Sequence, residues 1–270
     1  MDDYRRSNQA LWDEWTRINA ASQMYDLDGF KAGRCSLKAL ELEEVGDVQG
    51  KSLLHLQCHF GLDTLSWARR GARVTGVDFS PEAVHLAQSL SDEISIPARF
   101  VCSDLYALPE QLCEQFDIVF TSYGVLAWLS DLPRWAQIAA SYLKSGGVFY
   151  IAEFHPFAMV FSDSAQATAQ APLVEYSYFD DGAIACPVQG SYADQTAATQ
   201  STTSYEWSYP LGEVVSQLIA AGLRIQFLHE WPFVCYPMFH YLVEDAAGLW
   251  RLPDGVKSLP LEFSIRAVKE

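Results

Sequence analysis

The sequence predicts an α/β fold with a doubly wound, mostly parallel sheet. Short apolar runs alternate with helix-like segments between residues 50 and 154. The turn Gln57-Cys58-His59-Phe60-Gly61 couples the first strand tightly to the first helix, and the chain closes on an alternating run, LPLEFSIRAVK. Short crossovers between apolar strands imply parallel pairing with helices on both faces.

Residues 1 to 47 read as a helical arm, with Trp12, Trp15 and Ile18 on one face and Leu37, Leu40 and Leu42 in a second short helix. Strands follow at Ser52 to Gln57, Arg73 to Val77, Ala98 to Cys102, Asp117 to Thr121 and Val148 to Glu153. Helices fill the gaps at Leu62 to Arg70, Pro81 to Leu90 and Pro133 to Leu143, the last ending near Gly146-Gly147. Ser80 is a good N-cap and Pro81 suits the first helical position. Residues 155 to 209 are irregular and rich in aromatic side chains, too long for a plain connection. From residue 210 a helix and a strand lead to the last strand, and these two strands lie next to one another as an antiparallel pair at the sheet edge. The expected organisation is one domain over 1–270: arm (1–47), core (50–154), insertion covering the cleft (155–209) and C-terminal helix with strand pair (210–270).

The chain has 270 residues, half of them apolar, and a chain of that size buries about three quarters of its unfolded surface. No stretch reaches the 18 apolar residues of a membrane span, and the start MDDYRRSNQALWDEW lacks an apolar signal segment, so a cytoplasmic, soluble protein is expected. The six cysteines show no metal-ligand or disulfide spacing and read as reduced thiols. A formal charge of -16, from 34 acidic against 18 basic residues, argues against a nucleic-acid partner. No metal is expected.

With HLQCHFG after the first strand, VDFS ending the second and CSDL after the third, the chain resembles the class I S-adenosylmethionine-dependent methyltransferases over residues 50–154 and 210–268. The resemblance implies a Rossmann-like, seven-stranded sheet with a reversed last strand, and S-adenosyl-L-methionine as cofactor. It also implies that the turn wraps the methionine part of that cofactor, that Asp78 holds the ribose hydroxyls and that Asp104 meets the adenine amino group. A carboxylate suits vicinal hydroxyls because it accepts charge-assisted hydrogen bonds from both. The cofactor-binding set is thus Gln57, Cys58, His59, Gly61, Asp78, Phe79, Ser80, Asp104, Leu105 and Thr121.

The turn departs from the family pattern: His55 stands where an acid is common, and Gln57 and His59 replace glycines. Either the backbone there avoids positive φ and the side chains help hold the cofactor, or the site has decayed; the intact Gly61 and Asp78 favour the first. Catalytic candidates follow the fourth and fifth strands: Tyr123, Glu153 and His155, the last as base or acceptor-binding group, whereas Trp128 reads as packing. In the arm, Lys31 is placed to pair with the cofactor carboxylate.

Between Lys144 and Arg224 there is no Lys or Arg, while Glu153, Asp163, Glu175, Asp180, Asp181, Asp194, Glu206 and Glu213 are acidic. An acidic, aromatic cover over the cleft suits a neutral or cationic small-molecule methyl acceptor, an amine or phenol. The alternatives are a cofactor-binding protein without catalysis and an NAD-dependent oxidoreductase. The second is disfavoured because the turn lacks the glycines that admit a pyrophosphate.

Overall fold

A computed structural model describes residues 2–179 and 182–270. Asp180 and Asp181, part of the acidic run, lie outside the described residues.

The arm holds three helices: α1 (Asp3–Ala21), α2 (Leu27–Lys31) and α3 (Ala39–Val45). Then come β1 (Ser52–Leu56), α4 (Leu62–Arg69), β2 (Arg73–Asp78), α5 (Pro81–Glu93), β3 (Arg99–Cys102), β4 (Phe116–Ser122), α6 (Leu132–Ser141) and β5 (Leu143–Phe154). The remainder comprises β6 (Ile184–Pro187), β7 (Thr203–Glu206), α7 (Leu211–Ala220), β8 (Leu223–Trp231), β9 (Phe233–Val234), β10 (Val243–Glu244), β11 (Trp250–Arg251) and β12 (Glu262–Lys269).

Seven strands form the main sheet in the order β3-β2-β1-β4-β5-β12-β8. β1 through β5 run parallel, and β12 runs antiparallel to both β5 and β8. The expected edge pair is therefore present, with a small three-stranded sheet of β10, β11 and β9 between its members in sequence.

Side-chain alternation along β1 explains how both faces are covered. Leu54 and Leu56 point into a core shared with Trp135 and Ile138 of α6 and with Val214 and Leu218 of α7. Leu53 points the other way, onto Trp67 of α4 and Val45 of α3. The central strands thus bury both faces, and the carboxyl ends of β1 to β4 stand on one edge where the crossovers leave a crevice.

Two boundaries depart from expectation. α6 ends at Ser141 and β5 begins at Leu143, so Gly146-Gly147 lies inside the strand, at a register shift opposite Phe116 and Ile118, rather than after a helix. In the arm, the buried α1 positions are Asn8, Leu11, Trp15, Thr16 and Asn19, and α3 buries Glu41 and Val45, not Leu40 and Leu42. A leucine count cannot foresee a buried carboxyl group.

Candidate cofactor and acceptor site

A cavity of about 480 Å³ opens over the carboxyl ends of the parallel strands. Its floor is the turn after β1. Gln57 and His59 hold left-handed backbone, at φ 56° and 51°, as does Gly61 at 79°. The expectation that the turn avoids positive φ is overturned: the backbone takes the glycine conformation with side chains attached, at about 1–2 kcal/mol of strain per residue. Backbone geometry also ends the alternation of His55, Gln57 and His59, because the strand stops at Leu56. Gly61 alone could not be replaced, since a Cβ there would sit 2.7 Å from the Phe100 ring and 3.0 Å from the Ala87 methyl.

His55 is buried on the α4 side, with Nδ1 2.9 Å from Thr64 Oγ1, and burial depresses its pKa to about 3. Burial likewise pushes His59 down to about 3, so both imidazoles are neutral at physiological pH. The His59 ring packs between Phe60, at 4.1 Å, and Trp12, at 5.2 Å, and its Nε2 has no hydrogen-bond partner.

Asp78 ends β2 with 8% of its surface exposed. Its oxygens accept hydrogen bonds from the His59 N–H at 2.8 Å and the Ser80 N–H at 2.9 Å, which aim the carboxylate and tie the turn to β2. Burial raises its pKa to about 6 against those amides, with Asp13 adding repulsion. Phe79, Leu105 and Asp104 continue the lining. Asp104 accepts two hydrogen bonds from Arg5 Nη1, at 3.0 and 2.9 Å, and one from the Tyr106 N–H.

The roof is α1 braced by the insertion. Besides the Arg5–Asp104 pair, Gln9 Nε2 donates to the Phe79 carbonyl and Ser80 Oγ to Asp13. On the opposite side of α1, Asn8 bonds the Tyr205 backbone in both directions, Trp15 Nε1 donates to the Gly190 carbonyl and Glu14 accepts from the Ser201 N–H. Trp12, Trp15, Trp128 and Tyr192 meet edge to face or tilted at 5.1 to 6.1 Å along the lining. Trp128 is therefore cavity wall as well as packing. Among the described residues of the acidic run, only Glu206 reaches the lining.

The far end is lined by Lys38, Asp63, Tyr123, Phe154, Cys235 and Tyr236. None of Arg5, Trp12, Lys38, Cys235 or Tyr236 was foreseen as a site residue; Trp12 carried a helical-face signal and the others carried none. Lys31, expected to meet the cofactor carboxylate, instead pairs with Glu93 of α5 at 2.9 Å, while Arg34 and Lys38 reach the cavity.

Other expected site residues also stand outside the lining. Glu153 is 3% exposed and accepts hydrogen bonds from the N–H groups of Gly124, Val125, Leu126 and Phe154 at 2.5 to 3.0 Å. His155 is held on both ring nitrogens: Nδ1 accepts from the Phe157 N–H at 3.0 Å, which leaves the proton on Nε2, 2.9 Å from Glu230 Oε1. Both were expected as catalytic candidates, His155 as base or acceptor-binding group, but here their polar atoms are engaged by these partners and neither residue is part of the cavity lining. Thr121 Oγ1 donates to the Leu56 carbonyl under the floor, and Ser80 caps α5 through the Ala83 N–H. Gln57, Cys58, His59, Gly61, Asp78, Phe79, Asp104, Leu105 and Tyr123 do converge on the cavity.

Comparisons with known proteins agree with this geometry. Residues 53–147 match the family model described as a methyltransferase domain. A ubiquinone biosynthesis O-methyltransferase of Methylobacterium nodulans is 31% identical over 120 residues, 44% of this chain and 45% of the relative. That of Photorhabdus laumondii is 30% identical over 135 residues, 48% of this chain and 56% of the relative. The aligned stretch spans about half the length of these curated relatives. Among solved structures, an S-adenosylmethionine dependent methyltransferase of Mesorhizobium loti superposes with a TM-score of 0.56 at 17% identity, covering 88% of this chain and 100% of that one. One from Clostridium acetobutylicum gives 0.54 at 14% identity, covering 98% of each chain. Residues 53–147 are thus similar to a methyltransferase domain, and the chain shares the fold of the S-adenosylmethionine-dependent methyltransferases.

Proposed function

We propose that the protein transfers a methyl group from S-adenosyl-L-methionine to a neutral or cationic small molecule, through a nitrogen or oxygen acceptor. The observation that carries this reading is the set of buried polar atoms without partners along the cavity: Gln57 Oε1, His59 Nε2, Trp12 Nε1 and Tyr123 OH. Buried polar groups are nearly always satisfied, so their convergence marks a surface shaped for a polar ligand. Asp78 would hold the ribose hydroxyls, Phe79 and Leu105 would flank the adenine, and the turn from Gln57 to Gly61 would follow the methionine portion.

The cofactor supplies an activated methyl on a sulfonium. The chain's own residues align the acceptor, exclude water and keep the two ends of the cavity at a fixed separation. Aromatic walls suit an apolar or cationic acceptor, and Glu206 adds negative charge among the lining residues. No helix among the described residues is long and apolar enough to cross a membrane, in keeping with a small acceptor met in the cytoplasm.

Calorimetric binding of S-adenosylhomocysteine, followed by transfer of a labelled methyl to a metabolite pool, tests the proposal. NAD binding in its place would support the oxidoreductase, and cofactor binding without transfer to any compound would support the non-catalytic alternative.

A further inference from the structure

Tyr123 stands at the far end of the cavity in a conformation that requires explanation. Its φ is 46°, and Gly124 follows at 71°, so two successive left-handed residues turn the chain sharply after β4. Left-handed backbone is unfavourable for a tyrosine and persists only where its surroundings impose it. Here the imposing group is Glu153. Its carboxylate collects the N–H groups of Gly124, Val125 and Leu126, which point inward as an anion-binding nest. The Tyr123 N–H is tied to the Ala152 carbonyl at 3.0 Å, so the same strand fixes the residue from both sides. What the strain achieves is the direction of the side chain: the ring lies against Phe154 along the cavity wall, and the hydroxyl is buried without a hydrogen-bond partner.

Lys38 belongs to the same end. Its side chain lines the cavity, with Asp63, Glu41 and Glu262 within electrostatic range of the ammonium. Tyr123 shares Glu41, Glu262 and Cys235 as neighbours. Beside them the wall is apolar, with Phe154, Met159 and Tyr236. An ammonium offers only donors, and a buried phenol hydroxyl is most readily satisfied by donating to a lone pair.

We infer that Tyr123 grips the methyl acceptor through its hydroxyl, that Glu153 is the positioning residue that sets its direction, and that the acceptor is a neutral, apolar molecule bearing an oxygen rather than an ammonium compound. The inference rests on the methyltransferase reading and narrows its acceptor: the unpartnered hydroxyl can donate to an oxygen lone pair, which an ammonium lacks, and the wall beside it is apolar.

The test compares phenol, toluene and benzylammonium as probes by NMR titration of the full chain, with and without S-adenosylhomocysteine. The wild type should bind phenol at least about fivefold more tightly than toluene, and benzylammonium more weakly than phenol. Tyr123→Phe should erase the phenol preference, leave S-adenosylhomocysteine affinity within about twofold and not lower the melting temperature, because it removes a buried unpaired hydroxyl and keeps the ring. Glu153→Gln should also erase the preference although the hydroxyl is still present, and Glu153→Asp should restore part of it. An undiminished phenol preference in Tyr123→Phe, or tighter binding of benzylammonium than of phenol by the wild type, would overturn the inference. Failure of S-adenosylhomocysteine to bind would count against the cofactor reading separately, since the probe comparison is made without it as well.

Discussion

The two ends of the cavity are built in opposite ways. The proposed cofactor end comes from one continuous stretch, β1 through the loop after β3, in which each strand delivers its polar group at its carboxyl end: the turn from Gln57 to Gly61, Asp78 and Asp104. The proposed acceptor end gathers Lys38 before α3, Tyr123 after β4, Phe154 at the end of β5 and Cys235-Tyr236 after β9. A site made by local strand–turn–helix units has a sequence signature, because spacing along the chain is spacing in the fold. A site assembled across long separations has none, and the protein can change it without disturbing the cofactor end.

Three substitutions probe the cofactor end, beginning with the largest effect. Asp78→Ala should weaken S-adenosylhomocysteine binding by about 1–3 kcal/mol, the range for losing hydrogen bonds to a charged group. Calorimetry on the folded variant measures it, and phenol binding at the other end should be unaffected. Within the turn, Gly61→Ala should destabilise by about 2 kcal/mol or more, since it adds left-handed strain to a clash with the Phe100 ring. Gln57→Gly should be close to neutral, as about 1–2 kcal/mol of released strain is offset by glycine's greater unfolded freedom and by loss of the hydrogen bond from Gln57 Nε2 to the Val125 carbonyl at 3.0 Å. Denaturant titrations of the pair read both effects, and a Gln57→Gly as destabilised as Gly61→Ala would show that left-handed strain at residue 57 is small.

That pair also shows where sequence reading fails. The strand–helix alternation, both acids and Gly61 were legible from periodicity and motif spacing, whereas the seven-stranded sheet with its reversed last strand came only with the family resemblance. The left-handed backbone at Gln57 and His59 was not, because residue identity reports what a conformation costs and not whether tertiary structure imposes it. Here the His59 N–H bonded to Asp78 fixes the turn regardless of the side chain. Glu153 and His155 misled for a related reason. Polar residues near a strand's end suggest a site, yet Glu153 spends its carboxylate on four backbone amides and His155 both nitrogens on Phe157 and Glu230. Lys31 and Lys38 are seven positions apart, and only the fold decides which reaches the cavity.

A pH series separates the two ends more finely. Asp78 carries a folded-state pKa raised from 3.8 to about 6. Between those values the native state binds more protons than the unfolded one, so this group's contribution to stability is full below pH 4 and declines as pH rises toward 6. The cofactor's hydroxyls favour the carboxylate, so S-adenosylhomocysteine affinity should move oppositely, falling as pH drops below about 6 by up to tenfold per pH unit. Asp13 faces the same carboxylate and is the group whose replacement by Asn should shift the midpoint down. Phenol binding in the same series should show no midpoint near 6.

The smallest expected effect concerns the roof, which both ends share. α1 is fastened to the cofactor side by Arg5–Asp104 and by Gln9 on the Phe79 carbonyl, and to the insertion by Asn8, Glu14 and Trp15. Arg5 and Asp104 retain only 20% and 10% side-chain exposure, so solvent screens the pair little and it is a firm fastening of the helix. Arg5→Ala combined with Gln9→Ala leaves the insertion contacts intact and should hinge the helix rather than detach it. Stopped-flow release of S-adenosylhomocysteine should then speed up a few-fold with little change in the association rate, because a looser roof adds exits without altering the floor that recognises the ligand. If release instead stays at the wild-type rate, the insertion alone closes the cavity, and the arm's contribution to the site reduces to its lining residues Trp12 and Trp15.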